Sequence, residues 1–325
     1  MREAGLTVYD CSCPDKNPFR YLASFFKFLN YQNKSDIVFV GFLGQFLVPF
    51  VKICTRKKII FDAFISIYQT LIFDRKTANP LGITGHLARW IDRYSCHLAD
   101  KVFLDTDQHI EYFVNTLRLD RNKFHKLLVG SDESVFYPRT SPAKKEFLVH
   151  FHGEFQALHG SEYIIESARQ LPDVKFQLIG RGKHLERCKK LAGQYDLSNV
   201  EFINPTIYEK LPEYMAKADI CLGIFGHTAK AQMVIPHKIY EALAMKKPII
   251  TADTPAAKEL LTDKINIIFI PLGNSQKLTE AIELLKNNRP LSEKIAEGGY
   301  KIFTEQCTPR ILGREISQIC TALLN

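Results

Sequence analysis

Residues 220–252 read ICLGIFGHTAKAQMVIPHKIYEALAMKKPIITA, and their order of elements sets the fold. Ile220–Phe225 is an apolar run of strand length, and a loop carrying Gly226 and Pro236 follows it. His237–Met245 has helical spacing, and Pro248–Ala252 is a second apolar run. Apolar strands joined through a helix belong to a parallel sheet covered on both faces.

The alternation continues in both directions. Further strands are expected at Phe147–His152, Val174–Ile179, Val200–Ile203 and Ile267–Ile270. Helices are expected at Glu162–Leu171, His184–Tyr195, Leu211–Lys217, Ala256–Leu261, Gln276–Leu285 and Arg310–Leu324. A polar linker from Ser131 to Lys145, with Pro138 and Pro142, precedes this block. Ahead of it, strands at Leu6–Ser12, Asp36–Phe42, Lys58–Phe61, Lys101–Thr106 and Phe124–Val129 alternate with helices at Phe19–Asn30, Gln45–Cys54, Leu87–Ala99 and Gln108–Leu117. The expected architecture is two doubly wound parallel-sheet α/β domains, 1–138 and 139–309, facing a central cleft, with a final helix 310–325 returning to the first. Ligands of such sheets sit at the carboxyl ends of the strands. The opening Met1-Arg-Glu-Ala-Gly5-Leu-Thr-Val-Tyr9 resembles a last helical turn, a glycine cap and a strand, so an opening strand and helix are expected to be absent.

Composition narrows the function. The chain has 325 residues, 46% hydrophobic and 24% charged, which excludes a disordered chain and suits two domains. The longest apolar stretch, Ile37–Val51, holds two Gly, a Gln and a Pro and is too short to span a bilayer. No leader pattern opens the chain, and its eight Cys contain no C-x-x-C pair, so reduced thiols in a cytoplasmic protein are expected. Residues 1–145 carry 21 Lys and Arg against 14 Asp and Glu, a surplus of seven; the remainder carries 22 against 21. A one-sided basic surplus suits an anionic membrane, a nucleic acid or an acidic substrate. No recognition helix or RNA-binding motif accompanies it, so nucleic acid is not an expected partner. Phe19–Leu29 is aromatic and amphipathic with Arg20 and Lys27, and Arg56-Lys-Lys58 lies nearby; these suit peripheral contact with an anionic membrane, or ordinary packing on the sheet.

The chemistry concentrates where the stretch 220–252 enters its helix. Lys238 and Glu241 are three apart and share a face of the first turn. A helix amino end offers free N–H groups and partial positive charge to a diphosphate. Lys230 and Lys238 add full charges, and Glu241 can accept hydrogen bonds from a ribose diol. The same residues would also serve as a surface ion pair and a cap.

Five stretches in order, Phe151-His-Gly-Glu-Phe-Gln-Ala-Leu-His-Gly160, Phe176-Gln-Leu-Ile-Gly-Arg-Gly182, Asn199-Val-Glu-Phe202, Leu211-Pro-Glu-Tyr-Met-Ala-Lys-Ala-Asp-Ile220 and Lys238 through Ile250, resemble the nucleotide-sugar-binding domain of the family four glycosyltransferases. The first half resembles the family at His97-Leu-Ala-Asp-Lys-Val-Phe103, Val129-Gly-Ser-Asp132 and Val135-Phe-Tyr-Pro138. The resemblance implies two Rossmann-like domains (the GT-B fold) and a retaining transfer of sugar from a nucleoside-diphosphate sugar to a polysaccharide or lipid-linked acceptor, at the inner face of the cytoplasmic membrane. It implies no cofactor and no metal. A nucleotide-sugar 2-epimerase, or a non-catalytic relative that binds sugar nucleotides, shares the fold.

Carried over by position, the resemblance puts Glu241 on the nucleotide ribose and Gly153, Arg181, Ile203, Lys230, Val234, Ile235, Pro236 and Lys238 on the donor. The family's first glutamate is Met233 here, and its phosphate-binding Arg and Lys are Glu154 and His159. Positive charge therefore falls to Lys230, Lys238 and Arg181. Asp62, at a strand end, is the expected catalytic group of the acceptor side, with Ser66, Asp74 and Arg75 after it; Asp62 and Ser66 would equally cap a helix. Asp62, Lys238 and Glu241 form the expected catalytic set. Asp105-Thr-Asp107 imitates a metal-binding D-x-D motif, but Asp107 reads as a helix N-cap. His150 and His152 share a strand face and, with His159, read as satisfied histidines rather than zinc ligands. Cys11-Ser-Cys13 reads as packing, and Gly180-Arg-Gly182 lacks the spacing of a dinucleotide loop.

Overall fold

A computed structural model describes residues 1–13, 19–74, 77–140 and 146–325. The chain forms two compact units, Met1–Leu128 with Arg310–Asn325, and Val129–Pro309.

The first unit contains four parallel strands in chain order, β1 (Ile37–Val40), β2 (Lys58–Asp62), β3 (Lys101–Leu104) and β4 (Phe124–Lys126). Alternate residues of a strand point to opposite faces, and β2 needs both faces covered. Ile59 and Phe61 enter a core with Val102, Leu104 and Phe113. Ile60 and Phe103 face the other way, where helix Pro309–Leu324 closes over them through Ile316, Ile319, Cys320 and Leu323. Glu315 of that helix lies 2.8 Å from His125 of β4.

The strand expected at Leu6–Ser12 does not form. Arg2–Ala4 is one 3-10 turn capped by Gly5 at φ 83°, as the glycine predicts, but no strand follows. Asp10 instead accepts a bond of 2.8 Å from the Ser12 backbone, a turn that ends extended structure, and Tyr9 stacks on Tyr31 at 5.0 Å.

The second unit contains β5 (Phe147–Glu154), β6 (Val174–Arg181), β7 (Val200–Ile203), β8 (Ile220–Leu222), β9 (Ile249–Ala252) and β10 (Ile268–Ile270), all parallel, in the order β10-β9-β8-β5-β6-β7. The winding reverses between β5 and β8, and their carboxyl ends bound the crevice where such sheets bind ligands. Val149, Phe151, Phe176, Leu178, Ile220, Leu222 and Ile250 supply the core. Helix Arg289–Ile302 has no counterpart in the sequence reading, because Gly298-Gly299 weakens its helical signal. Those glycines allow close packing: a Cβ on Gly298 would stand 2.3 Å from the Ile265 carbonyl oxygen, and one on Gly299 2.8 Å from Leu243. Among the described residues no helix is long and apolar enough to cross a membrane.

Candidate functional site

Gly153, Arg181 and Ile203 stand at the ends of the adjacent strands β5, β6 and β7, with Gly153 opposite Gly180 and Glu154 opposite Arg181. The loop after β8 folds against the loop after β5, with Phe225 N–H donating to the His159 carbonyl at 3.0 Å and Gly226 N–H to that of Leu158 at 3.1 Å. Lys230 lies in a single turn of this loop. Val234 and Ile235 are buried, and Pro236 leads into helix His237–Ala244. Gly153, Lys238 and Glu241 converge here.

Lys238 is 6% exposed, and its Nζ has no hydrogen-bond partner among the described residues. It lies 3.9 Å from the centroid of the Phe151 ring. Burial pushes its pKa down to about 7, opposed by the nearby Glu241. A buried ammonium without an acceptor is unfavourable, and an anion arriving at Nζ would restore its charge. Gly153 leaves the approach open. Its φ of 133° suits glycine, and a Cβ there would sit 3.0 Å from Nζ and 3.9 Å from His159 Nε2. Burial, then the Lys238 charge, holds His159 well below the usual histidine range, so its ring is neutral. His159 Nδ1 accepts from the Gln156 backbone at 3.4 Å, which places the ring proton on Nε2, toward Gly153.

Glu241 is 3% exposed and does not stand open to a ligand on both oxygens. Oε2 lies 2.6 Å from His152 Nε2, and Oε1 3.2 Å from His237 Nδ1. Burial acts to raise its pKa, but the charges of His152, His237 and Lys238 and the bond from His152 outweigh it and hold the carboxyl below its usual range. A carboxylate offers about four lone-pair sites, so a diol would use those that the two histidines leave. Behind His152 the chain continues inward: His152 Nδ1 lies 2.9 Å from His150 Nε2, and His150 Nδ1 lies 3.0 Å from Gln177 Oε1. The shared strand face of His150 and His152 is present as expected. Their link to Glu241 was not visible in the sequence: the signal, a His-x-His on β5 with Gln177 at the register position of His150, needs the strand pairing to be known.

In the first unit, Asp62 ends β2, and its Oδ1 accepts from the Phe64 backbone at 3.3 Å, a local turn rather than a helix cap. Burial pushes its pKa up to about 6 against the Phe64 bond, and Asp105 on the next strand end raises it further. Ser66 is 2% exposed, and its hydroxyl is committed twice. It donates to Asp92 Oδ2 at 2.7 Å and caps helix Ile67–Gln69 by accepting from Gln69 N–H at 2.9 Å. Asp74 closes the turn Thr70–Asp74, and Arg75 lies outside the described residues. The cap of helix Asp107–Leu117 is Thr106, not Asp107: Thr106 Oγ1 accepts from His109 N–H at 3.0 Å, and Asp107 is the first helical residue. Asp105 pairs inward with His109 at 2.8 Å, while Asp107 faces Arg121 at 2.7 Å and Lys126 at 2.6 Å, so the two carboxylates do not converge.

Comparison with known proteins bears on the family and the fold. The family model described as glycosyl transferases group 1 matches residues 136–302. The chain is 22% identical over 278 residues to an alpha-D-kanosaminyltransferase of Streptomyces kanamyceticus, covering 79% of this chain and 67% of that one. It spans about half to two thirds of the length of the curated relatives it matches first. Among solved structures, a sucrose-phosphate synthase of Thermosynechococcus elongatus superposes with a TM-score of 0.76 at 15% identity, over 96% of this chain and 80% of that one. Anabaena HepE, solved with UDP and glucose, gives 0.73 at 17% identity, over 96% and 84%. The chain shares the fold of both structures.

Proposed function

Because the chain belongs to the group 1 glycosyl transferases, we propose that it moves a sugar from a nucleoside-diphosphate sugar to a polysaccharide or lipid-linked acceptor, with retention at the anomeric carbon. The observation that carries this reading is the buried Lys238 Nζ beside Gly153 at the start of helix His237–Ala244, without a hydrogen-bond partner among the described residues. In the reaction the acceptor oxygen bonds to the anomeric carbon as the sugar–diphosphate bond breaks. The electron pair goes to the diphosphate, which also takes the acceptor's proton. The leaving group is already good, so the protein's part is to position reactants and stabilise charge growing on the phosphates. Lys238, the helix N–H groups, Lys230 and Arg181 supply that charge without a metal ion or cofactor, Glu241 holds the ribose, and Asp62 orients the acceptor hydroxyl. Glu241→Gln, which keeps the shape and removes the charge, should weaken UDP or GDP binding about tenfold by calorimetry. Unchanged affinity would remove Glu241 from the donor site.

The first unit also has a surface suited to an anionic membrane. Phe19, Leu22 and Phe26 are exposed on and before helix Arg20–Tyr31, as are Phe46, Phe50 and Ile53 on and before helix Leu47–Cys54. The two helices touch through Phe25 and Phe50, with ring centroids 6.0 Å apart. Arg20, Lys27, Lys52 and Arg56 lie among these residues, and the surplus of positive charge in residues 1–145 complements anionic headgroups. We place the enzyme at the inner face of the cytoplasmic membrane; its eight unpaired cysteines suit a reducing compartment. Sedimentation with phosphatidylglycerol vesicles at low salt should carry the protein down, and Phe26→Ser/Phe50→Ser should leave it in solution. A wild type that stays in solution overturns the membrane contact.

A further inference from the structure

The line Gln177–His150–His152–Glu241 crosses from β6 through β5 to helix His237–Ala244. Every member is buried: His150 is 0% exposed, Glu241 3%, Gln177 6% and His152 8%. Such a line of polar groups is costly inside a protein unless each hydrogen bond is made.

Its proton arrangement can be worked out. Burial holds His150 well below the usual histidine range, so that ring is neutral and has a single N–H. Glu241 is ionised and can only accept. In one arrangement, reached by turning the Gln177 amide over so that its Nε2 replaces Oε1 at this contact, Gln177 donates to His150 Nδ1, His150 Nε2–H to His152 Nδ1, and His152 Nε2–H to Glu241, with both rings neutral. In the other, His152 carries two protons and donates from both nitrogens, and His150 Nδ1–H donates to the Gln177 oxygen. The first two bonds reverse between these arrangements, but the third does not: His152 donates to Glu241 Oε2 in both.

We propose that His152 is a positioning residue that fixes the Glu241 carboxylate for the nucleotide ribose, with His150 and Gln177 anchoring its ring in turn. The proposal rests on the donor-site reading given above. Its geometric content is that one oxygen of Glu241 is held from the sheet side, leaving Oε1 and the remaining lone pairs toward the ligand. His237, on the exposed side of the same carboxylate, is the partner a ribose could displace. The ionisable groups acting on Glu241 are His152 from β5, His237 and Lys238 from its own helix, and Tyr208 from the turn Tyr208–Lys210. Removing His152 leaves the burial of Glu241 less well opposed, so its carboxyl takes up a proton at higher pH.

The test measures UDP and GDP affinity of the full chain by calorimetry from pH 5 to pH 8, each variant as a ratio to wild type so that titration of the nucleotide cancels. His152→Phe keeps a ring and removes both nitrogens. It should bind about tenfold more weakly at neutral pH, with the ratio worsening as pH falls. His152→Gln, whose amide nitrogen reaches the place of Nε2, should recover most of the affinity. His152→Asn, whose amide stops at the place of Nδ1, should not. A loss in His152→Phe that is the same at every pH, or equal behaviour of the Gln and Asn variants, reduces His152 to packing and overturns the proposal. The Gln–Asn comparison decides the matter alone if His152→Phe does not fold. Glu241→Gln separates the two readings. Unchanged affinity in that variant removes the donor-site reading itself, whereas weakened binding there with wild-type behaviour in every His152 variant removes only the positioning role.

Discussion

Lys238, buried, and Asp62, partly buried, are ionisable side chains near the carboxyl edges of two parallel sheets, one in each unit, and both are driven toward neutrality, with pKa values of about 7 and about 6. Their neighbours differ. Lys238 has an opposite charge close by in Glu241 but, among the described residues, no hydrogen-bond acceptor on Nζ. Asp62 has a like charge in Asp105 and one backbone donor. The first arrangement lacks an acceptor in contact with Nζ among the described residues and improves when an anion supplies one. The second improves when the carboxyl gains a proton or accepts a hydrogen bond from a hydroxyl. Burial alone therefore does not identify a site's ligand; the sign of the group and what is missing around it do.

The sharpest way to break this contrast is Lys238→Met. It should lower UDP or GDP affinity about fiftyfold by calorimetry, as expected for loss of charge-assisted bonds to phosphate. It should also raise the melting temperature of the nucleotide-free protein. The lysine's folded pKa lies below its unfolded value of 10.5, so its unfavourable contribution is fully present below about pH 7 and fades as pH rises toward 10.5. The gain in melting temperature should shrink over that range, and a variant less stable than wild type at pH 7 contradicts the reading of Lys238 as an unsatisfied charge.

Asp62→Asn tests the other side. Transfer to the acceptor should fall about tenfold in kcat/KM, with nucleotide affinity unchanged. Asp62 has a folded pKa raised above 3.8, so its cost appears as pH rises past that value and is full above about 6. The variant should melt higher than wild type at pH 7.5, and the two should coincide below pH 4. Equal melting at both ends of the scale would show that Asp62 is not strained by burial.

The smallest effect is expected from Ser66→Ala, which removes a cap and one bond to Asp92. It should cost about 1 kcal/mol by urea unfolding and leave transfer unchanged. A clear loss of transfer would return Ser66 to the acceptor side, where its position after β2 first suggested it.

The α/β alternation was legible because each strand of the second unit is a short apolar run between polar loops, and Val200–Ile203 and Leu211–Lys217 begin and end where the pattern puts them. Lys238 and Glu241 were legible as a pair on one helical turn. Their state was not, since a sequence does not show that Lys238 points at the missing Cβ of Gly153 or that Glu241 is already bonded to His152. Register decides such contacts, and it comes from pairing residues far apart in the chain. The strand expected at Leu6–Ser12 failed for the opposite reason: its alternation is present, but a local Asp10–Ser12 turn competes with it. Helix Arg289–Ile302 was hidden by two glycines that tertiary packing requires.

Helix Pro309–Leu324 has a consequence for how the protein is made. Ile60 and Phe103 belong to the earlier part of the chain, yet Ile316, Ile319, Cys320 and Leu323, which cover them from helix Pro309–Leu324, are made only after the whole second unit. During translation this oily face stays bare while some 180 later residues are added, a window in which chaperones or misassembly can reach it.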